Sequence, residues 1–118
     1  FNRFSTRNNI RAARIEKENQ QLVLDNVKKS LYKEIQQVYY NTVAAEAKYN
    51  RSKQAQITSQ DAFALTQAKY ENGKATITEF NEAKNNMMKA DSDLIQARYE
   101  LVFQNALIEF YRGRDLIF

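Results

Sequence analysis

The chain has 118 residues, 43% of them hydrophobic and 27% charged, with 18 basic against 14 acidic side chains and a formal net charge of +4. It contains no proline, cysteine, histidine or tryptophan, and its two glycines are Gly73 and Gly113. Turn formers this scarce leave room for very few elements and argue against a compact many-element globule. The same absences remove thiol nucleophiles, disulfides, histidine bases and Cys/His zinc sites.

The remaining carboxylates, lysines and tyrosines form no catalytic constellation, so the chain is read as not an enzyme, with no cofactor and no metal ligand set. Its basic residues are read as scattered among acids, without a basic stripe, and no nucleic acid is expected as a partner. No apolar run approaches the roughly 20 residues of a membrane-crossing helix, and no signal peptide is visible. A start at Phe1 without methionine reads as a piece of a longer protein.

From Ser5 to Asn72 nothing interrupts a helix. Ser5 or Thr6 can cap its start, and good helix formers follow with neither proline nor glycine. The predicted helix one spans 6–72, about 100 Å at a rise of about 1.5 Å per residue. Its seam is Leu24, Val27, Leu31, Ile35, Val38, Thr42, Ala45, Tyr49, Ser52, Gln56, Ser59, Phe63, Thr66 and Tyr70. The steps alternate three and four except for the two successive fours joining Val27, Leu31 and Ile35, a stutter that relaxes the supercoil locally. A second set, Val43, Ala44, Ala47, Ala55, Ala62, Ala64 and Ala68, lies off the seam. A helix with two apolar or small faces expects two neighbours.

The one turn signal is the stretch from Tyr70 to Glu79, with the tip at 73–75. Gly73 suits the left-handed residue that closes a helix, and Thr76 with Glu79 makes a T-x-x-E capping box for the next. Helix two is predicted over 76–112. Phe80, Ala83, Met87, Ala90, Leu94, Ala97, Leu101, Gln104, Ile108 and Tyr111 keep a strict three-four alternation, and over the first three heptads bulky residues and alanines take turns so that the backbones approach closely.

So short a connection makes the helices antiparallel. Helix two then reaches back only to about Ile35. The first thirty residues of helix one are left without a facing helix, and Ile10, Ile15, Leu22, Val23, Leu24, Val27 and Leu31 need cover from elsewhere. Gly113 is expected to end helix two, and 113–118 to start a further segment. The fold class is therefore all-α, a long antiparallel two-helix coiled-coil hairpin.

Three runs carry a family resemblance. Phe1-Asn2-Arg3-Phe4-Ser5-Thr6-Arg7-Asn8 looks like the end of a membrane β-strand turning into a helix, with 1–5 as the strand end and Arg3 where many relatives place glycine. The run from Ala68 to Ala83 holds an A-x-Y-x-x-G-x-x-T pattern with an acid three residues later. The run from Ala90 to Tyr99 ends in L-x-x-A-R-Y. In this order they resemble the second-half periplasmic hairpin of TolC-like outer-membrane efflux proteins, over essentially the whole chain.

The resemblance implies a homotrimeric conduit in the outer membrane of a Gram-negative bacterium, anchored by a β-barrel outside this segment and continuing as a periplasmic α-barrel. Its partners are a periplasmic adaptor protein, docked at the tips, and through it an inner-membrane transporter. The tip would comprise Tyr70, Asn72, Gly73, Lys74, Ala75, Thr76 and Ile77. Glu79 and Glu82 match acidic rings that narrow the closed pore in relatives; a threefold ring of carboxylates repels itself and attracts cations. Local chemistry explains the same two residues as a capping acid and a first-turn acid favoured by the helix dipole. Tyr70 matches a latch tyrosine whose usual basic partner falls at Ala75, with Lys74 as a substitute, or else it packs on the seam. The alternative function is the coiled-coil hairpin of a periplasmic adaptor or another structural coiled coil.

Overall fold

The computed structural model describes residues 2–117, with side chains described for 2–113. Two helices make up the described chain, α1 at Asn2–Glu71 and α2 at Ile77–Ile117. Residues up to Gln37 form one unit and those from Val38 another.

The first unit is helix throughout its described length. Residues 2–5, expected as the end of a membrane strand, are helical instead, while Phe1 lies outside the described residues. A strand needs ladder partners to satisfy its backbone, and there is no strand among the described residues; a helix satisfies it locally. Thr6 is no cap either, since its Oγ1 donates to the Asn2 carbonyl one turn back, at 2.8 Å. Every described residue up to Ser30 is exposed, including Phe4, Ile10, Ile15, Leu22, Val23, Leu24 and Val27, as expected of a stretch with no facing helix; Leu31 and Ile35 are half-buried.

The expected scatter of basic charge also fails in this unit. Arg3, Arg7, Arg11 and Arg14 are spaced four, four and three apart on α1 and therefore share a helix face. Sign mixing along the whole chain hid this, because a helix sorts charge by spacing and no acid precedes Glu16.

The second unit is the hairpin. Along α1, Val38 and Ala45 are buried, and Thr42, Tyr49, Ser52, Gln56, Ser59, Phe63 and Thr66 half-buried; Tyr70 closes the series at 40% exposure. Along α2, Ala90 and Ala97 are buried, while Phe80, Ala83, Met87, Leu94, Leu101, Gln104, Ile108 and Tyr111 are half-buried. Every seam position from Val38 on thus faces inward or borders the contact. Ala97 is wholly enclosed, at 0% exposure, which is what a small residue at a close approach requires.

Polar contacts also tie the helices together across the seam. Gln56 Nε2 donates to Asp91 Oδ1 at 2.9 Å, and Lys48 Nζ donates to both carboxylate oxygens of Glu100 at 3.2 and 3.1 Å. Helix α2 passes through Gly113 to Ile117, beyond the expected end at 112. A glycine costs a helix about 1 kcal/mol, too little to stop it where no proline follows. Gly113 has no positive φ, unlike Gly73.

Candidate functional site at the hairpin tip

The tip is built by two caps back to back. At the end of α1, Gly73 takes a left-handed φ of 72°, its N–H bonding to the Tyr70 carbonyl at 3.0 Å and the Lys74 N–H to the Lys69 carbonyl at 2.7 Å. These two bonds are the Schellman closure, which uses carbonyls a helix end would otherwise leave open. Asn72 adds a third contact, its Nδ2 donating to the Ala68 carbonyl at 2.9 Å. At the start of α2, the Thr76 N–H donates to Glu79 Oε2 and the Glu79 N–H to Thr76 Oγ1, both at 3.1 Å. This is the capping box that the T-x-x-E spacing announces.

Below the caps sits an aromatic trio. Phe80 lies 5.1 Å from the Tyr70 ring and 5.4 Å from the Phe63 ring, centroid to centroid, tilted at 34° and 51°. Such pairs contribute about 0.5–1.5 kcal/mol beyond the area they bury. Of the two roles for Tyr70, packing is the one its geometry displays within this hairpin.

The seven tip residues therefore divide by availability. Asn72, Gly73 and Thr76 are engaged in capping, Tyr70 in the aromatic trio, and Ala75 is half-buried. Lys74 is exposed, and Ile77 is an apolar side chain left 53% exposed at the apex. Those two are free to meet another molecule.

Glu79 and Glu82 come together on the rim of one shallow open groove of 260 Å³, shared with Thr58, Ser59, Ala62, Ala83 and Asn86. The two acids differ. Glu79 holds Thr76 through Oε2, whereas Glu82 is exposed and shows no side-chain bond among the described residues. Small residues floor the groove and leave it open along one side of the hairpin. Among the described residues, no group of acidic side chains is placed to hold a metal ion.

Sequence reasoning missed two features of this unit. Asp91 was passed over because it sits one residue beyond the seam position Ala90; pairing residues outward from the turn would have set it near Gln56. The second is an exposed apolar stripe on α2, Met88, Ile95, Tyr99, Val102 and Phe103, on the side away from the buried seam. Its i, i+4, i+7, i+8 spacing from Ile95 is legible once the seam residues are set aside.

No helix among the described residues is long and apolar enough to cross a membrane. No curated protein and no solved structure matches the chain. Residues 1–113 match the family model described as outer membrane efflux protein. With nearly the full length covered, and a tip, seam and capping box of the kind the motifs foretold, the chain belongs to the outer membrane efflux protein family.

Proposed function

We propose that the chain is the periplasmic hairpin of a trimeric outer-membrane efflux channel, passing substrates outward chemically unchanged. Family membership supplies the coarser part of this reading, an outer-membrane protein of efflux. The finer part is carried by one observation: both helices of the hairpin have a second apolar or small face that nothing covers.

On α2 that face is Met88, Ile95, Tyr99, Val102 and Phe103; on α1 it includes Val43, Ala44, Ala47, Ala64, Leu65 and Ala68, all exposed. A helix with two apolar faces is stable only between two neighbours. One hairpin satisfies one face of each helix, and further hairpins alongside satisfy the other. A head-to-tail repeat either closes into a ring or grows without limit, so a barrel is the finite solution. Among the described residues the seam encloses no large side chain completely, so neighbours alongside would add to the apolar cover.

At the tip, Lys74 and Ile77 present a cation beside an apolar side chain to a periplasmic adaptor, with the inner-membrane transporter behind it. Glu82 supplies the charge of the constriction, and Glu79 adds to it through the carboxylate oxygen that the capping box leaves over. Family membership speaks for the channel over the adaptor hairpin.

The test is the intact outer-membrane protein reconstituted in a planar bilayer. The expected result is a trimer with discrete cation-selective conductance, whose block by divalent cations weakens in Glu82→Gln. A parent that stays soluble and does not conduct would return the choice to an adaptor hairpin or a structural coiled coil.

A further inference from the structure

The charge of this chain is unevenly placed. Four of its 18 basic residues and none of its 14 acidic ones fall before Glu16, so the remainder is balanced at 14 of each. The whole net charge of +4 thus equals the charge of Arg3, Arg7, Arg11 and Arg14.

All four are exposed, and their spacing keeps them on one face of α1. Phe4, Arg7, Asn8, Ile10, Arg11 and Arg14 line one open groove of 440 Å³, so apolar side chains stand among the guanidinium groups. Phe4 is 72% exposed, and Ile10 and Ile15 are about half exposed. A stripe meant only for water would not carry them.

The composition of the stripe narrows its partner. Guanidinium presents a planar fork that matches phosphate oxygens in pairs, is weakly hydrated, and keeps its charge at any physiological pH. Alternation of arginine with Phe and Ile suits a bilayer surface, where the apolar side chains enter the headgroup layer and the arginines stay at phosphate level. An outer-membrane protein has such a surface within reach.

We infer that the Arg3, Arg7, Arg11 and Arg14 stripe, with Phe4 and Ile10 beside it, binds the phosphate headgroups of an anionic phospholipid leaflet. The contact orients α1 at the membrane surface; it adds no membrane span. The inference uses the family's outer-membrane membership alone, and its test involves neither trimer nor adaptor. Its failure would leave the channel reading untouched, and failure of the channel reading would leave the vesicle result standing.

The experiment is co-sedimentation of the 118-residue chain with phosphatidylcholine vesicles, with and without phosphatidylglycerol. The expected result is binding that requires phosphatidylglycerol, weakens with salt, and falls about fivefold for each arginine changed to glutamine. The fourfold variant R3Q/R7Q/R11Q/R14Q should lose binding while keeping its far-UV circular dichroism, since arginine and glutamine have similar helix propensity. The fourfold arginine-to-lysine variant keeps the charge without the planar fork and should bind more weakly than wild type but well above the glutamine variant, which guards against loss through misfolding. A second variant, K28Q/K29Q/K33Q/K89Q, removes the same charge elsewhere and should bind as wild type does. Equal binding to vesicles without phosphatidylglycerol, retention by the arginine-to-glutamine variant, loss in the arginine-to-lysine variant, or equal loss in the K28Q/K29Q/K33Q/K89Q variant would each overturn the inference. Failure to bind vesicles while binding an acidic protein would overturn it as well.

Discussion

Thr76 and Glu79 hold each other through two reciprocal hydrogen bonds of 3.1 Å, each backbone N–H donating to the other residue's side-chain oxygen. Glu79 therefore has a structural role separable from its charge. A glutamine there retains a carbonyl oxygen to accept from Thr76, whereas Thr76→Ala removes the acceptor for Glu79. Thr76→Ala should destabilise the chain by about 1 kcal/mol, and Glu79→Gln by only a few tenths. Thermal unfolding followed by far-UV circular dichroism reads both. A larger loss for Glu79→Gln than for Thr76→Ala would mean that charge, not the bonded box, holds the start of α2.

The left-handed Gly73 offers a second test. A Cβ built there meets nothing within 4 Å, so the cost of substitution lies wholly in the backbone. Gly73→Ala should cost about 1 kcal/mol, and Gly73→Asn less, because asparagine tolerates that conformation better. If alanine proved neutral, the turn would have to be adopting another conformation in solution.

The Gln56–Asp91 and Lys48–Glu100 contacts across the seam differ in surroundings, and their energies should differ too. Gln56 and Asp91 are both half-buried, while the Lys48 and Glu100 side chains are 47% and 42% exposed. Double-mutant cycles to alanine should give a coupling of about 1 kcal/mol for Gln56 with Asp91, and under about 0.5 kcal/mol for Lys48 with Glu100. The reverse order would show that water reaches the seam at Gln56.

The two faces of α2 can be separated by substitution. Ala97→Leu forces bulk into an enclosed site and should destabilise the hairpin by about 1–3 kcal/mol. Ile95→Gln lies on the uncovered stripe and should change the melting of the isolated chain little, within about 0.5 kcal/mol. In the intact protein the same Ile95→Gln should reduce the yield of the assembled oligomer on a sizing column. Full assembly would remove Ile95 from any interface.

Much of the hairpin was legible in the sequence because its signals are local or periodic. Every position of the three-four alternation from Val38 to Thr66 and from Phe80 to Tyr111 is buried or half-buried. The turn was legible for a similar reason: a lone glycine and a T-x-x-E each satisfy particular backbone groups within a few residues. What escaped depends on context. Asp91 gains its meaning only when Gln56 arrives opposite, and Gly113 reads as a stop until its cost is weighed against the long helix that precedes it. The arginine stripe was obscured by averaging charge over the chain. The apolar stripe on α2 is masked in the sequence by the cleaner seam on the same helix.

The periodicity of α2 has a mechanical consequence. Phe80, Met87, Leu94, Leu101 and Ile108 recur every seven residues, as do Ala83, Ala90 and Ala97, and α1 answers with polar residues at Ser52, Gln56, Ser59 and Thr66. Sliding α2 by one heptad, about 10 Å at 1.5 Å per residue, would replace bulky with bulky and alanine with alanine along much of the contact. The pair is thus nearly degenerate against slippage. Gln56 with Asp91 and the ring of Phe80 between Phe63 and Tyr70 single out one alignment, and the short closed turn at 72–76 enforces it. A single proteolytic nick between Asn72 and Thr76 would release a vernier, turning a fixed hairpin into two rods free to settle in more than one alignment.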